Sequence, residues 1–299
     1  MKKKVVHLSF GNYGGVIFQY SCCINKKSDI YSSRCIFWNN MYQCFENDIL
    51  YTEDNIEEIN KIIDEADIIH YHDLDIVNYA INKFPNIKDK KSVITHHGIL
   101  LRLDSLSHIK FHKQSKIKYS VSTPDLLYYL PDAIWIRHPI DPEKYSNLEK
   151  FSEGWLITHS SSILSWNSTY FIKDLIFELQ KEFPDIELEV FNNIPFQQVI
   201  AKKAKAKLNI GRFLGWYAMG DLESMILGIP DIAFLNNTTL EFVKDIPIIN
   251  CIHDEVYENI KKLKKDENLR KEVGIASREW VLKNHNFDIT YKNLEDLYA

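Results

Sequence analysis

Two polar residues stand where parallel α/β proteins assemble ligand sites, and each has a side chain that can hydrogen-bond a ligand. Glu223 lies in a helical segment in which Leu222, Met225 and Ile226 recur at helical spacing. The free N–H groups at the start of such a helix favour a bound phosphate. His97 follows a short apolar run at residues 92–95, and polar residues at the carboxyl ends of strands are where α/β proteins assemble their sites. A histidine satisfied within the core is the alternative for His97.

A glycine-rich turn near the start of the chain is a third candidate. Residues 11–15, GNYGG, separate an apolar run at residues 5–10 from a potential helix at residues 16–23. Glycines such as Gly14 and Gly15 let backbone approach a phosphate or a sugar, since a Cβ would block the approach. A tight turn without a ligand explains the same residues. Arg102 is a candidate for a phosphate contact or for an ordinary surface ion pair.

Elements that position these residues alternate along the whole chain. Apolar runs that read as buried strands are separated by amphipathic helical segments, which predicts parallel sheets. In open α/β sheets ligands bind beyond the carboxyl ends of the strands, so His97 and Glu223 are expected there. Prolines and charges at residues 139–154 predict a hinge. The predicted domains are residues 1–142 and residues 152–283. The predicted strands are residues 5–10, 66–72, 92–95, 119–122, 133–137, 155–158, 187–191, 208–210, 231–234 and 246–249.

Composition excludes several function classes. The 299 residues suggest about two domains, and the 45% hydrophobic content is enough for two cores. A net charge of −5 gives no drive toward nucleic acid. Five cysteines without C-x-x-C pairs fit a reducing cytosol, and no run of about 18 apolar residues predicts a membrane span. We therefore expect a cytoplasmic protein.

Two lysine-rich stretches invite a surface interpretation. Residues 110–118 combine Phe111 and Ile117 with lysines, so they predict either a solvated face or a peripheral contact with the inner face of an anionic membrane. Residues 202–207 form a second run, for which a solvated face is predicted. The lysines of the first run are Lys110, Lys113, Lys116 and Lys118.

Residues 215–230, GWYAMGDLESMILGIP, resemble the donor segment of retaining glycosyltransferases of the two-domain GT-B fold, the family-4-like type, in a subgroup with a GWYG-like donor loop. THHG (95–98) and STPDLLYYLPDA (122–133) are similar to other segments of that family. The resemblance implies two Rossmann-like domains facing across a cleft. It also implies that a C-terminal helix at residues 284–299 packs back on the first domain.

The same resemblance implies roles for individual residues. Glu223 would bind the ribose of a nucleotide sugar, and His97 would lie beside the reacting carbon of the sugar. Gly215 stands where many members carry another glutamate. Leu164 and Asn167 stand where the subgroup has Arg and Lys, so Arg212 is the expected replacement for their phosphate contacts. The remaining donor candidates are Gly215, Trp216, Tyr217, Ser160 and Asn193, and the loop candidates are Gly14, Gly15 and Arg102.

The expected function is a glycosyltransferase that moves a sugar from a nucleotide-diphosphate donor to a glycan, lipid-linked or other cell-surface acceptor, with retention and without a metal or cofactor. A catalytically degenerate GT-B protein that binds a nucleotide or glycan, or supports a partner enzyme, is the alternative. A GT-B epimerase is a third interpretation, which a shortage of acids at the strand ends disfavours. Asp73 and Asp75 match a metal-binding D-x-D pattern, but helix capping is the preferred role for them.

Overall fold

The computed structural model describes residues 1–40, 45–150, 154–161 and 168–299. They form two compact units. The first unit combines Met1–Pro139 with His285–Ala299, and the second is Ile140–Asn284. Each unit is built on a parallel sheet with helices, so the predicted α/β class with two Rossmann-like domains is confirmed.

The first unit has a seven-stranded parallel sheet in the order β3-β2-β1-β4-β5-β6-β7. The strand order reverses direction between β1 and β4, and such a switch point leaves a crevice at the carboxyl ends of the strands. The strands are β1 Lys3–Ser9, β2 Tyr31–Phe37, β3 Ile49–Leu50, β4 Ile68–His72, β5 Lys91–His96, β6 Lys118–Val121 and β7 Ile134–Trp135.

Helices cover the sheet of the first unit and bury its central strands. All five residues of β4 are buried, as expected for a parallel strand covered on both faces. Pro124 opens a 3₁₀ helix, Pro124–Tyr128, whose N-cap residue Thr123 makes no side-chain cap. The α-helices before the second unit are α1 Val16–Lys27, α2 Ile56–Asp64, α3 Asp75–Lys83, α4 Ile99–Leu103 and α5 Ser105–Gln114.

The second unit has a five-stranded parallel sheet in the order β12-β11-β10-β8-β9. Its strand order reverses between β8 and β10, which gives this unit a switch point of its own. The strands are β8 Trp155–Ser160, β9 Ile186–Phe191, β10 Leu208–Ile210, β11 Asp231–Ala233 and β12 Ile249–Asn250. The helices are α6 Thr169–Glu182, α7 Phe196–Lys203, α8 Met219–Ile226, α9 Asn237–Phe242, α10 Val256–Lys265 and α11 Glu267–Asn284.

The last helix, α12 Phe287–Tyr298, belongs to the first unit and packs on α1. Asn286 caps it by accepting a hydrogen bond from the Ile289 N–H. Its terminal Tyr298 is buried against the sheet. Within the described ranges, no helix combines the length and the apolar character that crossing a membrane requires.

Candidate functional site

Three buried histidines lie at the switch point of the first unit. His7 of β1 stands directly opposite His70 of β4, and His72 follows two residues later on the same face of the strand. The His70 and His72 rings stack with centroids 4.4 Å apart, and the His7 ring is tilted by 34° against His70 with centroids 4.6 Å apart. Because these residues come from two strands about sixty positions apart in the sequence, sequence analysis did not group them.

His97 joins this cluster through hydrogen bonds between rings. His7 Nδ1 lies 2.8 Å from His72 Nε2, and His72 Nδ1 lies 2.8 Å from His97 Nε2. The His97 backbone N–H donates to Asp73 Oδ1 at 2.9 Å, which fixes the loop after β5. His97 is partly exposed, whereas His7 and His72 are buried. We call His7, His72 and His97 the histidine chain.

Burial keeps these imidazoles neutral. It lowers the pKa of His7 to about 3, with a smaller contribution from His97. It also lowers the pKa of His70 and of His72 well below the ordinary value. The pKa of His97 is lowered by burial, and the nearby Asp73 carboxylate opposes that shift. At neutral pH each ring therefore has one N–H donor and one acceptor nitrogen.

Asp73 has a different role from the one predicted. The N-cap residue of helix α3 is Leu74, which makes no side-chain cap, whereas Asp75 Oδ1 accepts the Ile76 N–H in the first turn at 3.0 Å. Asp73 has a φ of 70°, and its carboxylate accepts the His97 N–H. His96 faces the other side, where its Nε2 lies 2.8 Å from His112 Nε2.

Arg102 is held within the first unit by a carboxylate. Its Nε and Nη2 donate to the two carboxylate oxygens of Asp125 at 2.8 and 2.9 Å, and Nη2 also donates to Thr123 Oγ1. This is the forked geometry in which Arg binds a carboxylate most tightly. A phosphate contact by Arg102 stays a prediction.

The glycine turn is shaped by the start of α1. Gly14 and Gly15 have φ values of 60° and 74°, which favour glycine. A Cβ on Gly15 would lie 2.9 Å from the Phe45 ring, so a larger residue is excluded there. The Asn12 side chain accepts the Phe18 N–H and donates to the Glu46 carbonyl. These contacts explain the glycines as structure, and their contact with a ligand stays a prediction.

A buried ion pair marks the candidate site of the second unit. Lys203 Nζ lies 3.0 Å from Glu223 Oε2 and donates to the Gly220 carbonyl at 2.6 Å. Lys203 is 0% exposed and Glu223 is 5% exposed. The solvated face predicted for Lys203 is therefore wrong. The signal was in the sequence, because Lys203 follows the buried Val199 and Ile200 by four and three residues, on the apolar face of α7.

Ser160 ends β8 next to this pair. A Cβ on Gly220 would lie 3.3 Å from Ser160 Cβ and 3.6 Å from Lys203 Nζ, so these residues meet at the start of α8. The Ser160 Oγ is buried and makes no hydrogen bond within the described part of the chain. Hydroxyl, ammonium and helix N–H groups thus converge at the switch between β8 and β10.

Arg212 lies between β10 and α8 and is partly exposed. Its guanidinium forms no hydrogen bond or ion pair with residues of the described ranges. Burial lowers its pKa, and the carboxylates of Asp221 and Glu223 oppose that shift. A guanidinium stays charged at neutral pH, so Arg212 offers a positive charge that no carboxylate of the described residues pairs with directly.

Two further acids are packed beneath this site. Burial and the neighbouring Asp221 raise the pKa of Asp231 well above its ordinary value, and burial also raises the pKa of Asp221. Asn209 Nδ2 donates to Asp231 Oδ1 at 2.5 Å, and Asp221 Oδ2 accepts the Ala218 N–H at 2.6 Å. The Asp221 carboxylate and burial thus favour the protonated form of Asp231. They fasten the loop before α8 to the sheet.

The donor loop is only partly open. Gly215 has a φ of 95°, and its N–H donates to the Phe234 carbonyl, so its own amide is already used. Tyr217 is 2% exposed and packs on Trp280, whereas Trp216 is partly exposed. Asn193 lies in the exposed loop after β9.

Not every predicted donor position lies in the described part of the chain. Leu164 and Asn167 lie outside the described residues. The ligand roles of the donor-loop residues, like those of Ser160, Arg212 and Glu223, stay predictions.

Two units with parallel sheets, each with polar groups at its switch point, define the GT-B fold. Solved structures agree. Anabaena HepE, solved with UDP-glucose, matches with a TM-score of 0.71 at 12% identity over 99% of each chain. S. aureus TarM, solved with UDP and alpha-GlcNAc-glycerol, matches with a TM-score of 0.59 at 14% identity. That match covers 78% of this chain, which spans 55% of the TarM chain.

A third match shows that an epimerase has the same fold. A UDP-N-acetylglucosamine 2-epimerase matches with a TM-score of 0.58 at 13% identity, over 99% of this chain and 96% of its own. No family model and no curated protein sequence matches this chain. The structural matches therefore show the fold, and activity requires a separate argument.

Proposed function

We propose that this protein is a glycosyltransferase that takes a sugar from a nucleotide-diphosphate donor and passes it to a glycan or lipid-linked acceptor. The observation that carries the proposal is the site of the second unit, where Lys203, Glu223, Ser160 and Arg212 converge at a switch point. Solved GT-B structures that hold UDP or UDP-glucose support a nucleotide ligand.

The charges in this site suit a nucleotide diphosphate. Lys203 orients the Glu223 carboxylate, whose oxygens accept hydrogen bonds from ribose hydroxyls. The Lys203 charge is neutralised by Glu223, so the charge of Arg212 and the N–H groups at the start of α8 act on the phosphates. These groups are preorganised, and they stabilise the charge that develops on the leaving diphosphate.

His97 supplies the second half of the proposed chemistry. Its neutral ring hydrogen-bonds the transferred sugar and orients it. Retention, independence of metal and the absence of a cofactor belong to this proposal, because donors on the chain itself stabilise the leaving group.

An exposed apolar edge supports a lipid-linked acceptor. Ile99, Leu103 and Leu106 of α4 and α5 are 52%, 71% and 79% exposed. Lys110 and Lys113 follow on α5 and are exposed. Leucines beside lysines fit an anionic membrane surface, since apolar burial and charge attraction act together. Lys116 precedes β6 and Lys118 opens it, at the amino-terminal edge of the sheet.

A catalytically degenerate GT-B protein is the second candidate, which the uncharged Leu164 and Asn167 favour. Two measurements distinguish this degenerate protein from an enzyme. Calorimetry with UDP-, GDP- and CMP-linked sugars identifies the donor that binds, and proton NMR then follows whether the bound donor reacts. We expect one nucleotide class to bind and its sugar to be transferred to an acceptor or slowly to water. Binding without either reaction would favour the degenerate protein, an epimeric donor would favour an epimerase, and no binding would refute the nucleotide site.

His97→Gln tests the division of roles. We expect its donor affinity to stay within about twofold of the wild type, because the proposed nucleotide contacts lie in the second unit. Turnover should fall roughly 100-fold or more, as for other positioned polar groups in active sites. Turnover equal to that of the wild type would end the assignment of His97.

A further inference from the structure

The histidine chain ends inside the first unit at an atom without a partner. His7 Nε2 is buried and makes no hydrogen bond with a residue of the described ranges. At the other end, His97 is partly exposed, and its Nδ1 makes no hydrogen bond within the same ranges. Between them are two contacts of 2.8 Å. Each contact needs one N–H and one lone pair, so the three tautomers are coupled and all protons point in the same direction.

The direction in which the N–H groups point follows from the free-energy cost of leaving His7 Nε2 unpaired as a donor or as an acceptor. If the protons pointed toward His7, its Nε2–H would be a buried donor without an acceptor. If they point toward His97, the buried end is a bare lone pair, and unsatisfied acceptors are tolerated better in native structures than unsatisfied N–H groups. In that arrangement His7, His72 and His97 all carry the proton on Nδ1.

The neighbouring His70 does not hydrogen-bond to the histidine chain, because both of its ring nitrogens have other partners. Its Nδ1 lies 2.8 Å from the Tyr298 hydroxyl, and its Nε2 lies 2.6 Å from Thr95 Oγ1. His70 thus stacks on the chain without joining its hydrogen bonds. No carboxylate of the described residues pairs with His7, His70 or His72, so an added proton would be an uncompensated buried charge.

A metal ion is the other use of clustered histidines. Ligand atoms of His7, His70 and His72 lie within 4.8 Å of one another. Both nitrogens of His70 and both of His72 are already hydrogen-bonded. The His72 ring stacks on both His70 and His7, and no carboxylate of the described residues pairs with these rings to offset a divalent charge. Hydrogen bonding therefore accounts for the cluster better than metal binding does.

We propose that His72 and His7 are positioning residues that hold His97 as the Nδ1–H tautomer, so that its exposed edge is a fixed, neutral hydrogen-bond donor. The consequence for chemistry rests on the proposed function: His97 donates a hydrogen bond to an oxygen of the sugar and does not act as a general base. The charged or titratable groups around His97 are Asp73, His72, His96 and His7, with Tyr13 and Tyr20 of the α1 region beside its ring.

Nitrogen-15 NMR on the full chain, labelled at histidine, tests the tautomers without any substrate. His108, His159 and His285 serve as internal references, because their Nδ1 atoms face carbonyl oxygens and must carry the proton. At pH 7 we expect His7, His72 and His97 to show the same Nδ1–H pattern as these references, with His97 assigned by its loss in His97→Gln. An Nε2–H pattern at His97, or mixed tautomers along the chain, would overturn the proposal.

Variants provide a second measurement. His72→Leu should leave His97 without a single tautomer and lower turnover roughly 10- to 100-fold with little change in KM. His112→Leu is the matched control, since it breaks another buried bond between two histidines and should leave the His97 pattern intact. An unchanged His97 pattern in His72→Leu would contradict the positioning role.

Two further readings separate the possible failures. The wild-type chain is titrated with cobalt(II). A tetrahedral absorption spectrum that is lost in His7→Leu would show a metal site and overturn the proposal. If the tautomers are as expected but no donor reacts, the proposed function fails and the histidine chain stands. If donors react while His97 carries its proton on Nε2, the reverse holds.

Discussion

Replacing Glu223 by glutamine should destabilise the second unit far more than the same change on the surface. Lys203 is 0% exposed and Glu223 is 5% exposed, so the variant leaves an ammonium group buried without its counter-charge. Breaking a buried pair in this way costs about 3–5 kcal/mol. The matched control is Glu178→Gln, whose pair with Lys181 has side chains 56% and 61% exposed. Such a surface pair contributes about 0–1 kcal/mol.

Scanning calorimetry on the full chain is the appropriate assay, because a protein with two units need not unfold in one transition. For a domain of this size each kcal/mol shifts the midpoint by about 2–4 °C. The transition of the second unit should therefore fall by about 6–20 °C in Glu223→Gln and by at most about 4 °C in Glu178→Gln. Lys203→Met added to Glu223→Gln should recover part of the loss, because no buried charge remains.

Equal shifts for the two glutamine variants would refute this reasoning, since Lys203 would then not be a buried charge that needs Glu223. A double variant less stable than Glu223→Gln would also refute it. Nucleotide affinity measured on the same samples below the transition then reports the loss of ribose contacts separately from the loss of folded protein.

Three other perturbations test separate features. Arg212→Gln should weaken a nucleoside diphosphate roughly 10- to 100-fold, the value of a charge-assisted bond, and leave the nucleoside almost unaffected in calorimetry; equal losses would remove Arg212 from the phosphates. Burial lowers the pKa of His7 to about 3, so as pH falls below about 6.5 the unfolded chain binds a proton at this histidine and the folded chain does not. The free energy of unfolding of the first unit should therefore drop by about 1.4 kcal/mol per pH unit for each such histidine. Hydrogen exchange at pH 7 and 5 measures this drop, and a flat profile would contradict it. Leu106→Ser should weaken sedimentation with phosphatidylglycerol vesicles about tenfold, from the lost leucine burial; Phe177→Ser, 64% exposed on α6, is the control, and equal effects would dismiss the membrane face.

The fold was predictable because its signals are local. Helix α8 ends at Ile226 with Leu227 as its C-cap, and the left-handed Gly228, with a φ of 76°, follows just before Pro230. Runs of buried apolar residues located the long strands, and each run depends only on residues close in sequence. Strand β7 is two residues long and was predicted too long. Its length is set by two residue pairs with β6, and the sequence near β7 does not indicate which residues pair.

The site was less predictable because its contacts are not local. Nothing near His7 in the sequence indicates that His70 stands opposite it, since strand register is set by the sheet as a whole. Lys203 was assigned to a solvated run because neighbouring lysines dominated the pattern, although its spacing from Val199 placed it on the apolar face of α7. A short run of lysines therefore predicts a solvated face even when one of them, here Lys203, is buried.

The two units solve the burial of polar groups in opposite ways, and this difference bears on what each can do. In the first unit, imidazoles are buried neutral, and hydrogen bonds between rings satisfy all but the end of the chain. In the second, Lys203 and Glu223 form a buried ion pair, and no carboxylate of the described residues pairs directly with the nearby Arg212. Anionic phosphate is attracted by the second arrangement and gains nothing from the first. A sugar hydroxyl, which carries no charge, needs only a fixed donor, and that is what a neutral histidine with a locked tautomer offers.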